Sequence, residues 1–289
     1  MELEPTLGSF LEPYLPKKHN GVKENKPQTP STYLRAVSPA AETSQLGEQP
    51  TSEKLQDAQD KTTSSRSKRP FITLTWAQSI DGRIAGAVGT RTRISGPETK
   101  VMTHYQRSRH DAILVGARTA LTDDPKLNCR FPETGAHMIR PVVVDPSARW
   151  CYSTSTARQV FLQKAGIAPF IVVKKDAPVK EEEESLLEKD GGRYVRLDLG
   201  SDLEANWNLI FDGLGDLGIK SVMVEGGSFV IESLITSGLP DSVIITIGSV
   251  FLGRHGVSVS PQIALKLEEV TWWRGHEDAV VAGRPAKTD

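Results

Sequence analysis

The stretch Lys220-Ser-Val-Met-Val-Glu-Gly-Gly-Ser-Phe-Val-Ile-Glu232 decides how the chain is read. Residues 221–224 form a short apolar run, Glu225 and two glycines follow, and from Ser228 to Ser237 apolar residues recur at helical spacing. A strand, a tight turn and a helix in that order make the corner of an α/β layer. The backbone N–H groups of such a corner can approach a pyrophosphate closely, and the helix dipole adds attraction. The spacing is not GxGxxG, and a purely structural corner needs glycine too. Glu225, at the strand tip, is better placed to touch a substrate than to serve the core.

The same texture extends in both directions. Upstream, residues 71–76 alternate like a half-buried strand, and β-branched runs at 112–115, 141–145, 169–173 and 194–197 are separated by helical stretches at 97–109, 181–189 and 203–214. Strands alternating with helices predict an α/β fold, a mainly parallel sheet with helices on both faces. Downstream, 242–247, 265–273 and 279–282 offer three strands with no helix long enough for a parallel crossover, so antiparallel C-terminal strands are expected at one sheet edge.

Residues 1–69 are rich in Pro, Ser, Thr, Gln and Glu and poor in apolar side chains, which predicts a largely disordered N-terminal arm ahead of a folded domain over 70–289. One patch is denser: Phe10, Leu11, Tyr14 and Leu15 can dock on the body as a helical turn or two. The 35 basic and 36 acidic residues nearly cancel, so neither nucleic acid nor an anionic membrane is expected as a partner. Cys129 and Cys151 support neither a disulfide framework nor a metal site, and with no signal segment or long apolar run a cytoplasmic address is expected.

Several segments can carry chemistry. Residues 77–85 leave the first strand at its ligand-facing end, although Asp81-Gly82 is also an ordinary turn. Arg91 and Arg93 precede a helix starting at Pro97 that Ser95 can cap; two guanidinium groups there suit an anion, and simple exposure is the alternative. Thr119 and Asp123, four apart, share a helical face over a strand end. His104 and His110 do not share one and are read as surface residues. The sequence has no HxE with PCxxC, GxSxG, HExxH or GxxxxGK[ST], which argues against zinc deaminase, serine hydrolase, zincin and P-loop chemistry.

Six segments occur in one family's order: Gln78-Ser-Ile-Asp-Gly-Arg83, Ile94-Ser-Gly-Pro-Glu98, Thr103-His-Tyr105, Asp111-Ala-Ile-Leu-Val-Gly116, Thr119 with Asp123-Asp-Pro-Lys-Leu127, and Val224-Glu-Gly-Gly227. Together with Ile244-Ile-Thr-Ile-Gly248, Phe251-Leu-Gly253 and Trp272-Trp273, the chain from 70 onward resembles the riboflavin-biosynthesis reductases. The resemblance implies a dihydrofolate reductase-like fold, NADPH as hydride donor, a phosphorylated ribosylaminopyrimidine as substrate, and a homodimer. It implies cofactor contacts from Gln78, Arg93, Thr119, Asp123, Gly226, Gly227, Ser228, Phe229, Val230 and Ile231. Substrate contacts fall to Arg91, Arg107, Leu127, Arg130 and Glu225, with Arg107 and Arg130 expected to clamp the 5′-phosphate. The alternatives are a dihydrofolate reductase-type enzyme and a non-catalytic NADPH-binding or scaffold protein.

Overall fold

A computed structural model describes residues 3–17, 69–90, 92–131, 138–261 and 264–286. Residues Met1–Pro16 and Lys68–Asp289 cluster as one compact unit. Most of the arm, 18–68, lies outside the described residues, as does Arg91.

The centre is a nine-stranded sheet. Strands β1 (Phe71–Ser79), β7 (Ser221–Val224), β3 (Ala112–Gly116), β4 (Arg140–Val144), β5 (Phe170–Lys174) and β6 (Arg193–Leu197) lie side by side in that order and all run parallel. On the far side of β1 come β8 (Ser242–Gly248), β11 (Asp278–Pro285) and the edge strand β10 (Leu267–Arg274). β8 is parallel to β1; antiparallel pairing begins between β8 and β11 and continues from β11 to β10. The three C-terminal strands therefore sit at one edge as expected, with the last strand in the chain between the other two. A separate ribbon of β2 (Arg83–Ala85) and β9 (Val257–Ser258) was not legible in the pattern.

Alternation along the parallel strands divides the core. Leu74, Leu114, Val142, Val172 and Val224 pack under α6 (Leu203–Asp216) and α7 (Ser228–Ser237), through Trp207, Phe211, Val230 and Leu234. On the opposite face, Ile113, Val115, Val143 and Ile171 meet Trp150, Tyr152 and Leu187, the last from α5 (Glu181–Lys189). The acidic run 181–184 forms the first turn of α5, where carboxylates suit the dipole.

A third cluster encloses the N-terminal segment. Pro5–Leu11 forms α1, capped by Glu4, and Leu7, Leu11, Tyr14 and Leu15 are buried against Met102, Tyr105, Ile244, Trp273 and Val280. Tyr14 donates its hydroxyl hydrogen bond to the Glu269 carbonyl. Glu12 accepts from Tyr105 Oη and from Arg109 Nη1, each at 2.5 Å. Tyr105 and Met102 belong to α2 (Pro97–Ser108), so the segment docks on the helix that carries Arg107.

The start of α2 departs from expectation. Gly96, not Ser95, is the N-cap residue, and it offers no side chain. Asp278 of β11 supplies the missing acceptor: its Oδ2 takes the Gly96 N–H at 2.7 Å and the Thr99 hydroxyl. The two histidines are also corrected. His104 is 3% and His110 1% exposed, because the fold supplies partners for their rings. His110 places Nδ1 2.7 Å from the Gln106 carbonyl and Nε2 2.8 Å from Thr73 Oγ1.

Candidate active site

The turn after β7 is stitched to its neighbour before it leaves the sheet. Glu225 N donates to the Leu114 carbonyl at 3.0 Å, and Gly116 N donates to the Gly226 carbonyl at 3.0 Å. Gly226 has φ of +101°, a conformation only glycine adopts without strain. Gly227 is needed for space instead: a Cβ there would lie 2.9 Å from Thr119 Oγ1. The backbone of the turn and α3 (Ala117–Asp123) thus approach closely, and α7 follows its N-cap Gly227, with no side chain capping its first N–H groups. Those donors are open to an anion.

Beside this turn lies a cavity of about 590 Å³ whose wall includes Thr119, Gly227, Ser228, Phe229 and Val230, five of the ten residues expected to hold a cofactor. Phe229 stands 59% exposed at the rim. The side chains of Val230 and Ile231 are buried in the core, so their backbone is what they can offer a ligand. Asp123 ends α3, one turn beyond Thr119, and does not line the cavity. Gln78 sits on β1, its Oε1 accepting from Trp76 Nε1 at 2.9 Å, and Arg93 is exposed in the loop before α2.

Three of the expected substrate residues, Arg107, Arg130 and Glu225, form a second cluster on the other side of the same turn. Arg107 forks onto Glu225, with Nε to Oε1 at 2.7 Å and Nη2 to Oε2 at 2.6 Å, and its Nη1 donates to the Asn128 carbonyl at 2.8 Å. Burial works against the guanidinium charge, yet the Glu225 carboxylate outweighs it and Arg107 titrates above its ordinary value. Arg130 reaches Asn128 Oδ1 at 2.9 Å. Its guanidinium is pushed below its ordinary value by burial first and then by Arg107. Leu127 belongs to this segment, but its φ of +46° turns the side chain into the core.

His104, set aside in the sequence, holds this cluster together. Its Nδ1 accepts the Arg130 N–H at 3.2 Å, and its carbonyl accepts from Cys129 Sγ at 3.4 Å. Burial, with Arg107, Arg130 and Lys100 nearby, lowers its pKa to about 3, so the ring stays neutral. Asn128 and Gly116 were likewise missed; only the strand-end position of Gly116 hinted at a role.

Residues 70–281 match the model of the RibD C-terminal domain. The chain belongs to the RibD C-terminal domain family. Among its relatives is a 2,5-diamino-6-ribosylamino-4(3H)-pyrimidinone 5′-phosphate reductase of Debaryomyces hansenii, 48% identical over 223 residues, which are 75% of this chain and 90% of that protein. The Kluyveromyces lactis protein of the same name is 36% identical over 292 residues, 98% of this chain and 96% of its own, so that match extends into the N-terminal arm. The Saccharomyces cerevisiae riboflavin biosynthesis reductase Rib7, whose structure is solved, aligns over 76% of this chain and 91% of its own at 37% identity, with a TM-score of 0.63. In this RibD-family chain the Glu225-Gly-Gly227 corner is the point where the two residue clusters meet.

Proposed function

We propose that the chain catalyses the NADPH-dependent reduction of 2,5-diamino-6-(ribosylamino)-4(3H)-pyrimidinone 5′-phosphate to its ribitylamino product, a step of riboflavin biosynthesis. One observation carries the reading: Glu225 belongs to a charged cluster suited to a phosphorylated polar substrate, and two residues later Gly227 lines a cavity suited to a dinucleotide. Hydride transfer requires that adjacency, and the names of the relatives supply the substrate.

The cavity fits the cofactor by shape and by donors. The glycine corner lets the backbone approach a pyrophosphate, and the uncapped start of α7 presents N–H groups to it. Bound there, the nicotinamide supplies a hydride. Opening of the ribosylamine ring leaves a C=N bond at the sugar C1′; that carbon takes the hydride and its nitrogen takes a proton from water. The protein's task is alignment. Glu225, held in place by the Arg107 fork, presents a fixed acceptor to the substrate's N–H or O–H groups. Three nitrogens of Arg107 are already committed to protein acceptors, which moves the phosphate clamp towards Arg130. Asp123 remains the proposed partner of the nicotinamide half and Gln78 and Arg93 its neighbours.

A homodimer and a cytoplasmic address belong to the same reading. The outer strand β10 presents Val270 and Trp272 to solvent, an apolar edge suited to a second copy, and no helix among the described residues is long and apolar enough to cross a membrane. Light scattering on the purified chain tests the dimer.

The deciding assay follows NADPH oxidation with the diamino substrate, its deaminated counterpart and dihydrofolate side by side. Turnover of the diamino compound is expected. Turnover of dihydrofolate alone, or of none, overturns the reading.

A further inference from the structure

The two arginines of the substrate cluster are held in opposite ways. Arg107 is forked onto Glu225, so its charge is matched before any ligand arrives. Arg130 is held by neutral groups alone. The uncharged His104 ring takes its backbone N–H at 3.2 Å, and Asn128 Oδ1 takes its Nη1 at 2.9 Å. Among the described residues Arg130 makes no ion pair, and its Nε and Nη2 donate to no protein acceptor. Two arginines and one glutamate leave one positive charge over, and it rests on Arg130.

Asn128 stands between the two and is only 6% exposed. Its backbone carbonyl accepts from Arg107 Nη1 at 2.8 Å and its Oδ1 from Arg130. Its Nδ2 donates to the Ala165 carbonyl at 3.0 Å, in the turn after α4 (Thr156–Leu162). The amide cannot be turned over, because that would set N–H against the guanidinium and oxygen against the Ala165 oxygen. The side chain is therefore a rigid, uncharged acceptor aimed at Arg130. An aspartate has the same shape, so geometry does not choose between the two residues; charge does. A carboxylate there would form a charge-assisted pair and cancel the guanidinium, whereas an amide oxygen orients it and leaves its charge to act on a ligand.

We propose that Asn128 is a positioning residue that makes the site demand a phosphorylated substrate, by fixing the Arg130 guanidinium without neutralising it. The assignment rests on the substrate reading given above. It gives the two arginines different tasks: Arg107 holds Glu225 in place, and Arg130 supplies the charge that the phosphate answers.

The test is steady-state turnover of the full chain with the diamino substrate and with its dephosphorylated riboside, at saturating NADPH. It is run on the native protein, on Asn128→Ala, Asn128→Asp and Arg130→Ala, and on the double alanine variant. The native chain should prefer the phosphorylated compound by about tenfold or more in kcat/KM, the scale of one charge-assisted contact. Asn128→Asp keeps the acceptor and adds the cancelling charge, so that preference should collapse to about twofold or less, through a raised KM and not a lowered kcat. Asn128→Ala frees Arg130 without neutralising it and should fall between. Because Asn128 acts through Arg130, the double alanine variant should differ from Arg130→Ala by less than about twofold. Arg130 is exposed and fixed by a single side-chain bond, so its variant reads the preference even if a change at the buried Asn128 loosens the fold. A native chain indifferent to the phosphate, equal weakening of both compounds in the Asn128 variants, or a preference that survives Arg130→Ala overturns the assignment and leaves the reductase reading intact. A native chain that turns over neither compound overturns both.

Discussion

Arg107 and Glu225, 118 residues apart, meet as a planar fork on a carboxylate at 2.7 and 2.6 Å, with side chains only 12% and 18% exposed. The pair ties α2 to the tip of β7, so its loss should register in stability and in substrate binding together.

Removing one partner of a mostly buried pair leaves the other unmatched. Arg107→Ala should destabilise the chain by about 3–5 kcal/mol, read by denaturant unfolding. Arg107→Lys keeps the charge but not the two parallel bonds, and should recover part of the stability while the substrate KM stays raised.

His104 predicts a pH dependence. A ring held at a pKa of about 3 in the fold and 6.5 when unfolded takes up its proton only on unfolding, so stability falls as pH drops from 6.5 towards 3. The slope from this one group is at most about 1.4 kcal/mol per pH unit. His104→Asn, which can still accept from Arg130 N, should be flatter over that range by one proton's worth. An unchanged slope in the variant would sink the assignment.

Gly227→Ala probes the close approach to Thr119. At φ −67° the backbone accepts any residue, so the cost comes from the Cβ meeting Thr119 Oγ1, about 1–3 kcal/mol of overpacking. NADPH binding should weaken by about tenfold or more, equivalent to 1.4 kcal/mol or above, in a protein that still folds by circular dichroism.

Leu11 lies outside the residues matched by the family model, yet it is fully buried under α2 and β10. Leu11→Ala should destabilise by about 2–5 kcal/mol, measured by thermal and urea unfolding. A change below about 0.5 kcal/mol, the range of surface substitutions, would show that the N-terminal segment is not part of the cooperative unit.

Much of the fold was legible because its signals are local. The alternating run became β1, the short β-branched and apolar runs became β3, β4, β5, β6, β7 and β8, and the glycine pair after Glu225 marked the corner. What stayed hidden depends on partners distant in sequence. Ser95 looked like a cap, but the acceptor comes from Asp278, 182 residues from Gly96. His104 and His110 lack a common helical face, yet a backbone amide and a threonine hydroxyl pay for their burial. Of the expected site residues, those on the corner and on α2 fall into two adjoining clusters. Leu127 and Ile231 have only their backbone to offer a ligand, because their side chains complete the core.

The Asp278 cap has a consequence for the order in which the protein is made. On the ribosome, α2 emerges long before β11, and until residue 278 follows, the first turn of the helix bearing Arg107 lacks its acceptor. The start of that helix is therefore completed by a segment that follows every expected site residue in the chain. A message cut short after β8 yields every expected ligand-contacting residue but leaves the Gly96 N–H and the Thr99 hydroxyl without their Asp278 acceptor.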